Sequence, residues 1–410
     1  MLTVAVLCTG SELTRGELVN TNATWLAEAL TALGFEVAAI DAVADDRVRI
    51  REALERLGRA HTAVICTGGL GPTTDDLTSE CVAELLSVPL VRDAASLEAI
   101  RARMHRFGRA MAASNAKQAD FPQGAAILPN GRGTAPGFSV RIGQALAFFL
   151  PGVPSEMKTM FTESVVPALD PIERPRSFQV RLGTYGMAES EVNDRLAGIE
   201  AEHDVVIGYR ASIPTIEVKV LARADTTDAA RIRAAAAAVA VRERLNEAVF
   251  TDSVQSYPAA LLALLEARGR TLALAESCTG GLVSELLTDV PGSSRSFLGA
   301  AVTYSNALKT ALLGVPEALL NAHGAVSREV AEAMADGART RLGADIGLAL
   351  TGIAGPGGGT PEKPVGLVHW AVATAEGVTA REQVFPGDRS QIRRRAAFAG
   401  LALVRRGLSA

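Results

Sequence analysis

The chain has 410 residues, 48% of them hydrophobic and 21% charged, with a formal net charge of −4. That length exceeds what one hydrophobic core supports and predicts two or three domains. The acidic balance argues against direct nucleic-acid binding, whose usual footprint is a basic excess. No apolar run reaches the ~18 residues needed to span a bilayer, so no membrane partner is expected. MLTVAVLCTGSEL has no basic n-region and runs straight into a glycine turn, so it reads as a strand and not a signal peptide. Cys8, Cys66, Cys81 and Cys278 show neither CxxC pairing nor zinc spacing, and the five histidines form no HExxH. The expectation is a reduced, cytoplasmic protein without structural zinc.

Residues 1–170 alternate strand and helix patterns. LTVAVLC is a strand that opens into Thr9–Gly16, and a helix from about Asn22 to Leu33 follows, capped by Asn20 or Asn22 and stopped by Gly34. FEVAAIDAV is a second strand, DDRVRIREALERLGR a second helix and TAVICTGG a third strand. A helix from about Thr78 comes next, and QALAFFL then enters Pro151–Met157. This βαβ alternation implies a doubly wound, mostly parallel sheet, with loops 9–16, 67–76 and 151–157 converging at its carboxyl edge. Gly68, Gly69 and Gly71 leave backbone N–H groups free to cradle phosphate. Asp75 and Asp76 are the candidate ligands for a divalent metal cation held against it. A tight turn with an aspartate cap accounts for many Gly-Asp clusters, but TGGLGPTTDDLT is longer than a cap requires. It is neither a P-loop nor a Rossmann fingerprint.

Residues 171–250 read as a small α+β segment. It has strands FQVRLGTYG and TIEVKVLARA, helices ESEVNDRLAGIEA and DAARIRAAAAAVAVRERLNEAV, and no acid–base cluster. Residues 251–410 resume the alternation, with helix YPAALLALLEARG, strand TLALA, helix GLVSELLTDV and strand GAAVTY in turn. A helix opened by Asn306, helix REVAEAMADGARTRL, strand IGLALTG, strands VGLVHWAVAT and TAREQVF, and a closing helix complete the chain.

TLALA ends at Glu276-Ser277-Cys278-Thr279-Gly280-Gly281, where a nucleophile meets a glycine-rich turn at a strand's carboxyl end. Only five of the 41 basic residues are lysines, and four of them, Lys117, Lys158, Lys309 and Lys363, fall in loop motifs. With Asn306 as N-cap, Lys309 stands in the first turn of its helix, where the macrodipole lowers an amine's pKa. Ser277 and a neutral Lys309 make a nucleophile and base without histidine, with Tyr304 able to orient the proton. Backbone donors near Gly280 and Gly281 would hold an oxyanion. Cys278 is a rival nucleophile and His323 an alternative base. The loop from Thr351 and Gly352 to Gly359 has the composition of an anion cradle, and Arg389 opening the last helix could grip a phosphate.

AESCTGG, GSS, VTYSNxxK, HGAVS, TGIAGPGGG, EKPVGLV and FPGDRxxIR resemble the C-terminal domain of the CinA (competence/damage-inducible protein A) family, a nicotinamide mononucleotide (NMN) deamidase domain. GSELxxGxxxNTN, CTGGLGPTxDDxT, NxKQA, NGRGTAPGF and PGVPSEM resemble its N-terminal, molybdopterin-binding-like domain. The resemblance implies two doubly wound α/β/α domains, 1–170 and 251–410, joined by a KH-like α+β domain at 171–250, and a homodimer. It implies hydrolysis of NMN to nicotinic acid mononucleotide and ammonia, with Ser277 as nucleophile beside Lys309 and Tyr304 and no cofactor. Thr279, Gly280, Gly281, Ser294, Thr351, Gly352 and Arg389 match substrate-contacting positions. For the N-terminal half it implies a divalent-metal-dependent ADP-ribose pyrophosphatase using Gly10, Glu12, Asn20, Asn22, Gly68, Gly69, Gly71, Thr73, Asp75, Asp76 and Lys117. The first loop departs by having Thr14 where members carry an apolar residue. The competing expectation is that the N-terminal sheet only binds a pterin or nucleotide, in a protein of DNA uptake or repair.

Overall fold

The structure, a computed structural model, describes residues 2–108 and 110–409. Strands β1 (Thr3–Thr9), β2 (Glu36–Val43), β3 (Ala63–Thr67), β4 (Ala126–Leu128), β5 (Gly137–Ile142) and β6 (Ala145–Leu150) form one sheet in the order β2-β1-β3-β6-β5-β4. The first four in that order run parallel, and β5 and β4 add an antiparallel edge. The period-two alternation of β1 divides its side chains between two cores. Val4, Val6 and Cys8 pack with Leu26 and Leu30 of helix α1 (Thr21–Ala32), and Ala5 and Leu7 with Ile50, Leu54 and Leu57 of helix α2 (Arg47–Ala60). Apolar residues on both faces of a strand require helices on both sides, which makes the sheet doubly wound.

Local signals place the helix starts. The Asn20 side chain accepts the Ala23 N–H at 3.0 Å, so Asn20 is the cap of α1 and Asn22 lies inside the helix. Asp46 caps α2 in the same way, and helix α3 (Thr78–Leu86) begins where expected.

Strands β7 (Arg176–Tyr185), β8 (Val205–Ser212), β9 (Thr215–Ala224) and β10 (Val249–Thr251) form a four-stranded sheet in the order β8-β9-β7-β10. Sequence reading gives no β8, whose apolar residues do not alternate cleanly. The helix expected over 228–249 stops as α4 at Leu245 (Thr227–Leu245), because Asn246 turns with φ 47° and 249–251 pairs with β7. The helix expected over 189–201 is two short ones, interrupted at Gly198 (φ 91°).

The third sheet has the order β12-β11-β13-β14-β15, from β11 (Leu272–Glu276), β12 (Phe297–Val302), β13 (Ile346–Gly352), β14 (Leu367–Thr374) and β15 (Gly377–Val384). β12, β11 and β13 are parallel, and the last two are antiparallel additions. On one face Leu272 and Leu274 meet α5 (Tyr257–Ala267), α6 (Leu282–Thr288) and the closing helix α9 (Arg389–Ser409). On the other, Ala275 meets α7 (Asn306–Leu313) and α8 (Arg328–Arg341).

The chain thus has mixed α/β architecture with two doubly wound sheets and a smaller α+β sheet between them in sequence. By compactness it divides into two units. One comprises residues up to Gln179 with Ala222–Arg233, the other Val180–Leu221 with everything from Ala234 onward, so the middle segment is divided between them. No helix among the described residues is long and apolar enough to cross a membrane.

Candidate active site

The Ser277 turn is fixed by the two strands that flank β11. The Ser277 N–H donates to Leu350 O at 3.0 Å, and the Thr303 N–H donates to Glu276 O at 2.8 Å. Glu276 itself is fully buried, and its carboxylate accepts the N–H groups of Gly281, Val283 and Ser284 at 3.0, 3.1 and 2.9 Å and the Ser284 hydroxyl at 2.6 Å. A buried carboxylate is stable only when so fully hydrogen-bonded. Glu276 therefore ties the strand end to the first turn of α6, with Gly280 and Gly281 supplying the positive φ angles of 56° and 92°.

Lys309 arrives from α7 with 1% of its surface exposed. Its Nζ hydrogen-bonds Ser277 Oγ at 3.1 Å and donates to Thr303 O at 2.8 Å, so residues 32 apart in sequence meet. Burial holds its pKa below the ordinary 10.5. One sequence expectation changes here. The cap of α7 is Ser305, whose hydroxyl accepts the Leu308 N–H, and not Asn306. Desolvation is the largest cause of the lowered amine pKa.

Burial also pushes the Cys278 thiol up to about 12, which leaves it protonated and weak as a rival nucleophile. His323 ends a short helix, near Glu329, and among the described residues its side chain has no hydrogen bond or ion pair to Ser277 or Lys309. The backbone donors expected at Gly280 and Gly281 are both already bonded. The Gly280 N–H is taken by Ser277 O and that of Gly281 by Glu276, whereas among the described residues the N–H groups of Cys278 and Thr279 bond no other residue. Thr279 is also fully buried with its Oγ1 unpartnered, an orphan that a ligand would satisfy.

Tyr304 is exposed and its hydroxyl accepts from Arg389 Nη2 at 3.1 Å, so it sits outside the Ser277–Lys309 contact. Arg389 also donates to Gly355 O at 2.8 Å, which brings the 353–359 loop beside that arginine. Thr351 donates to Ala325 O at 2.7 Å, and Lys363 to His323 O and Val326 O at 2.8 and 2.7 Å, so both pin the HGAVS turn. A Cβ on Gly352 would meet Leu367 O at 2.6 Å. Ser294 is not at this site. It lies in the turn before β12, and parallel pairing with β11 puts that turn at the opposite end of the sheet from Ser277. Sequence reading missed Glu276, although it stands next to Ser277, and Arg393, whose Nε and Nη2 donate to Thr279 O at 3.2 and 2.5 Å.

The first sheet carries a second site. A cavity of about 400 Å³ is lined by Thr9, Gly10, Glu12, residues 68–73, Asp75, Asp76 and residues 151–153, so the three expected loops do converge. Gly68 (φ 109°) and Gly69 (φ 67°) are required there, because a Cβ would overlap the Thr9 carbonyl at one and Thr78 Oγ1 at the other. Asn22 donates to Gly152 O at 2.7 Å and to Thr67 Oγ1 at 3.4 Å, and so bridges two of the loops. Its Oδ1 and the Thr9 Oγ1 are buried without partners beside this cavity.

Asp76 accepts the Thr73 N–H at 2.8 Å, and both aspartates bind the Thr73 hydroxyl. That hydrogen bond holds the Asp75 carboxyl below its usual range. Lys117 pairs with Glu80 at 3.0 Å and donates to Thr73 O at 3.3 Å, so it braces the loop. Among the described residues no three metal-ligating side chains converge. Two adjacent carboxylates fit a hard cation that keeps water and shares its shell with a phosphate. Asp45 and Glu156 also line the cavity and were not expected. Asp45 is held by the Ser11 N–H at 2.8 Å and Glu156 by Asn130 at 2.7 Å.

Known families account for nearly all of the chain. Residues 5–171 match a probable molybdopterin binding domain, 180–251 the damage-inducible protein CinA KH domain, and 254–408 the CinA C-terminal domain. A CinA-like protein of Anaeromyxobacter sp. (strain Fw109-5) is 46% identical over 99% of both chains. One from Geobacter sulfurreducens is 43% identical, again over 99% of each. The crystal structure of the competence/damage inducible protein CihA from Agrobacterium tumefaciens is 38% identical and covers 39% of this chain and 100% of its own, with a TM-score of 0.36. With this identity sustained from end to end, the chain belongs to the CinA family.

Proposed function

We propose that the C-terminal domain hydrolyses the carboxamide of NMN, giving nicotinic acid mononucleotide and ammonia. The observation that carries this reading is the 3.1 Å contact between Ser277 Oγ and the buried Lys309 amine. Ser277 Oγ attacks the carboxamide carbon as its proton passes to Lys309 Nζ. The oxyanion forms opposite the unpartnered Thr279 N–H, with the Cys278 N–H beside it. On collapse the C–N bond breaks, and Lys309 returns the proton to the departing ammonia. Water then cleaves the acyl-enzyme, giving up its proton through the same amine. Arg389, tethered to Tyr304 and Gly355, is the cation for the substrate's phosphate.

The N-terminal cavity is proposed to cleave the pyrophosphate of ADP-ribose, with the 68–71 backbone cradling phosphate and Asp75 and Asp76 holding a divalent cation. That cation would neutralise phosphate charge. The reading extends to a cytoplasmic homodimer. Ammonia release from NMN tests the C-terminal half: Ser277→Ala should lower it at least ~10³-fold with the fold intact. Full activity in Ser277→Ala, lost instead in Cys278→Ala, would overturn the assignment.

A further inference from the structure

A cavity of about 490 Å³ lies in the second unit and contains none of the residues of either site above. Its lining comes from β7, β8, β9 and β10, the 253–256 loop, and the helices α5, α6 and α9. Its aromatic wall is Phe250, Tyr257 and Phe398, with ring centroids 4.7 and 5.8 Å apart in sequence order. Its cations are Arg181, Arg210 and Arg394. Of the two acids on the wall, Glu217 is 3.8 Å from Arg181 and 3.7 Å from Lys219, so its charge is matched locally, and Asp289 is the other. Arg394 spends only its Nε, on Ile213 O at 2.9 Å, while lying 5.6 Å over the Phe398 ring. Among the described residues, neither Arg210 nor the terminal nitrogens of Arg394 have a carboxylate partner.

Guanidinium forks match phosphate, and aromatic walls take a planar base. A cavity of this size suits a ligand of nucleotide dimensions. We propose that this cavity is a second, non-catalytic site for a nucleoside monophosphate, and that its occupancy acts on the Ser277 turn. The route is short. Leu286 and Asp289 of the cavity wall lie on or directly after α6, which begins in that turn, and Arg394 is the neighbour of Arg393, which holds Thr279 O.

Photolabelling of the full chain with 8-azido-AMP, followed by peptide mapping, tests the site. The label should fall within 250–258 or 286–290. AMP should compete it, adenosine and inorganic phosphate should not at equal concentration, and Arg210→Glu should lose it. Arg210 is exposed and unpaired, so this variant is expected to fold. Ammonia release from NMN should change at least twofold with AMP in the wild type and stay flat in Arg210→Glu. Label confined to the 68–76 loop or the Ser277 turn, or cavity label indifferent to Arg210→Glu, would overturn the site. Cavity label with an unchanged wild-type rate would overturn its action on Ser277. The labelling result stands whether or not NMN is the substrate.

Discussion

On the proposed mechanism, the chemistry and the stability of the C-terminal domain pull in opposite directions at Lys309. Its amine has two hydrogen bonds and almost no exposure, and burial lowers its pKa from 10.5. The unfolded chain therefore binds a proton more tightly at this site than the native one, and stability rises with pH from the lowered value up to 10.5. Below that window the lysine costs stability. Lys309→Met should accordingly abolish ammonia release while raising the midpoint of thermal unfolding at neutral pH, with the difference shrinking as pH approaches 10. A lowered midpoint at pH 7 would contradict this account. In the wild type, kcat for NMN should climb with pH to a plateau reached below the ordinary lysine value, because only the neutral amine accepts the Ser277 proton.

At the scale of elements, the sites depend on how strands end. Glu276 closes β11 and caps the start of α6 with one carboxylate. Glu276→Ala would strand three N–H donors and the Ser284 hydroxyl in the interior, a loss of about 3 kcal/mol or more by unfolding in denaturant. Glu276→Gln keeps the shape with one acceptor oxygen, so it should retain more stability and still lower kcat by loosening the Ser277 turn. In the first sheet, Gly68→Ala would put a methyl group against the Thr9 carbonyl at φ 109°. It should lose AMP formation from ADP-ribose and about 2 kcal/mol of stability, read from the same kind of melt.

Across the molecule, two sheets present their parallel carboxyl edges to two candidate sites. The glycine-loop cavity belongs to the first compact unit and the Ser277–Lys309 pair to the second. Asp75→Asn with Asp76→Asn should therefore abolish AMP release from ADP-ribose in the presence of a divalent metal and leave ammonia release from NMN within about twofold of wild type. Loss of both activities in a folded double variant would show that the two halves are not independent.

Much of this was readable from the chain because the cues are local. Apolar runs broken by Gly-rich turns gave the strands and their carboxyl ends, and Asn20 and Thr78 gave helix starts to within a residue or so. β8 is not legible because its apolar residues do not alternate, and Asn306 is no better a cap on sequence than Ser305 beside it, which is the one used. Motif resemblance groups Ser294 with Ser277, but strand direction puts the two at opposite ends of the sheet. Sequence by itself determined most of the elements and the family, and it singled out the candidate residues, since propensity, capping and motif spacing act within a few residues. The tertiary structure decided what those residues can do. It alone brought Lys309 to Ser277, gave Glu276 its three donors, chose Thr279 over Gly280 and Gly281 as the free backbone donor, and moved Tyr304 outward to Arg389. Burial and pairing between distant strands set those contacts, and neither is written in any short stretch of the chain.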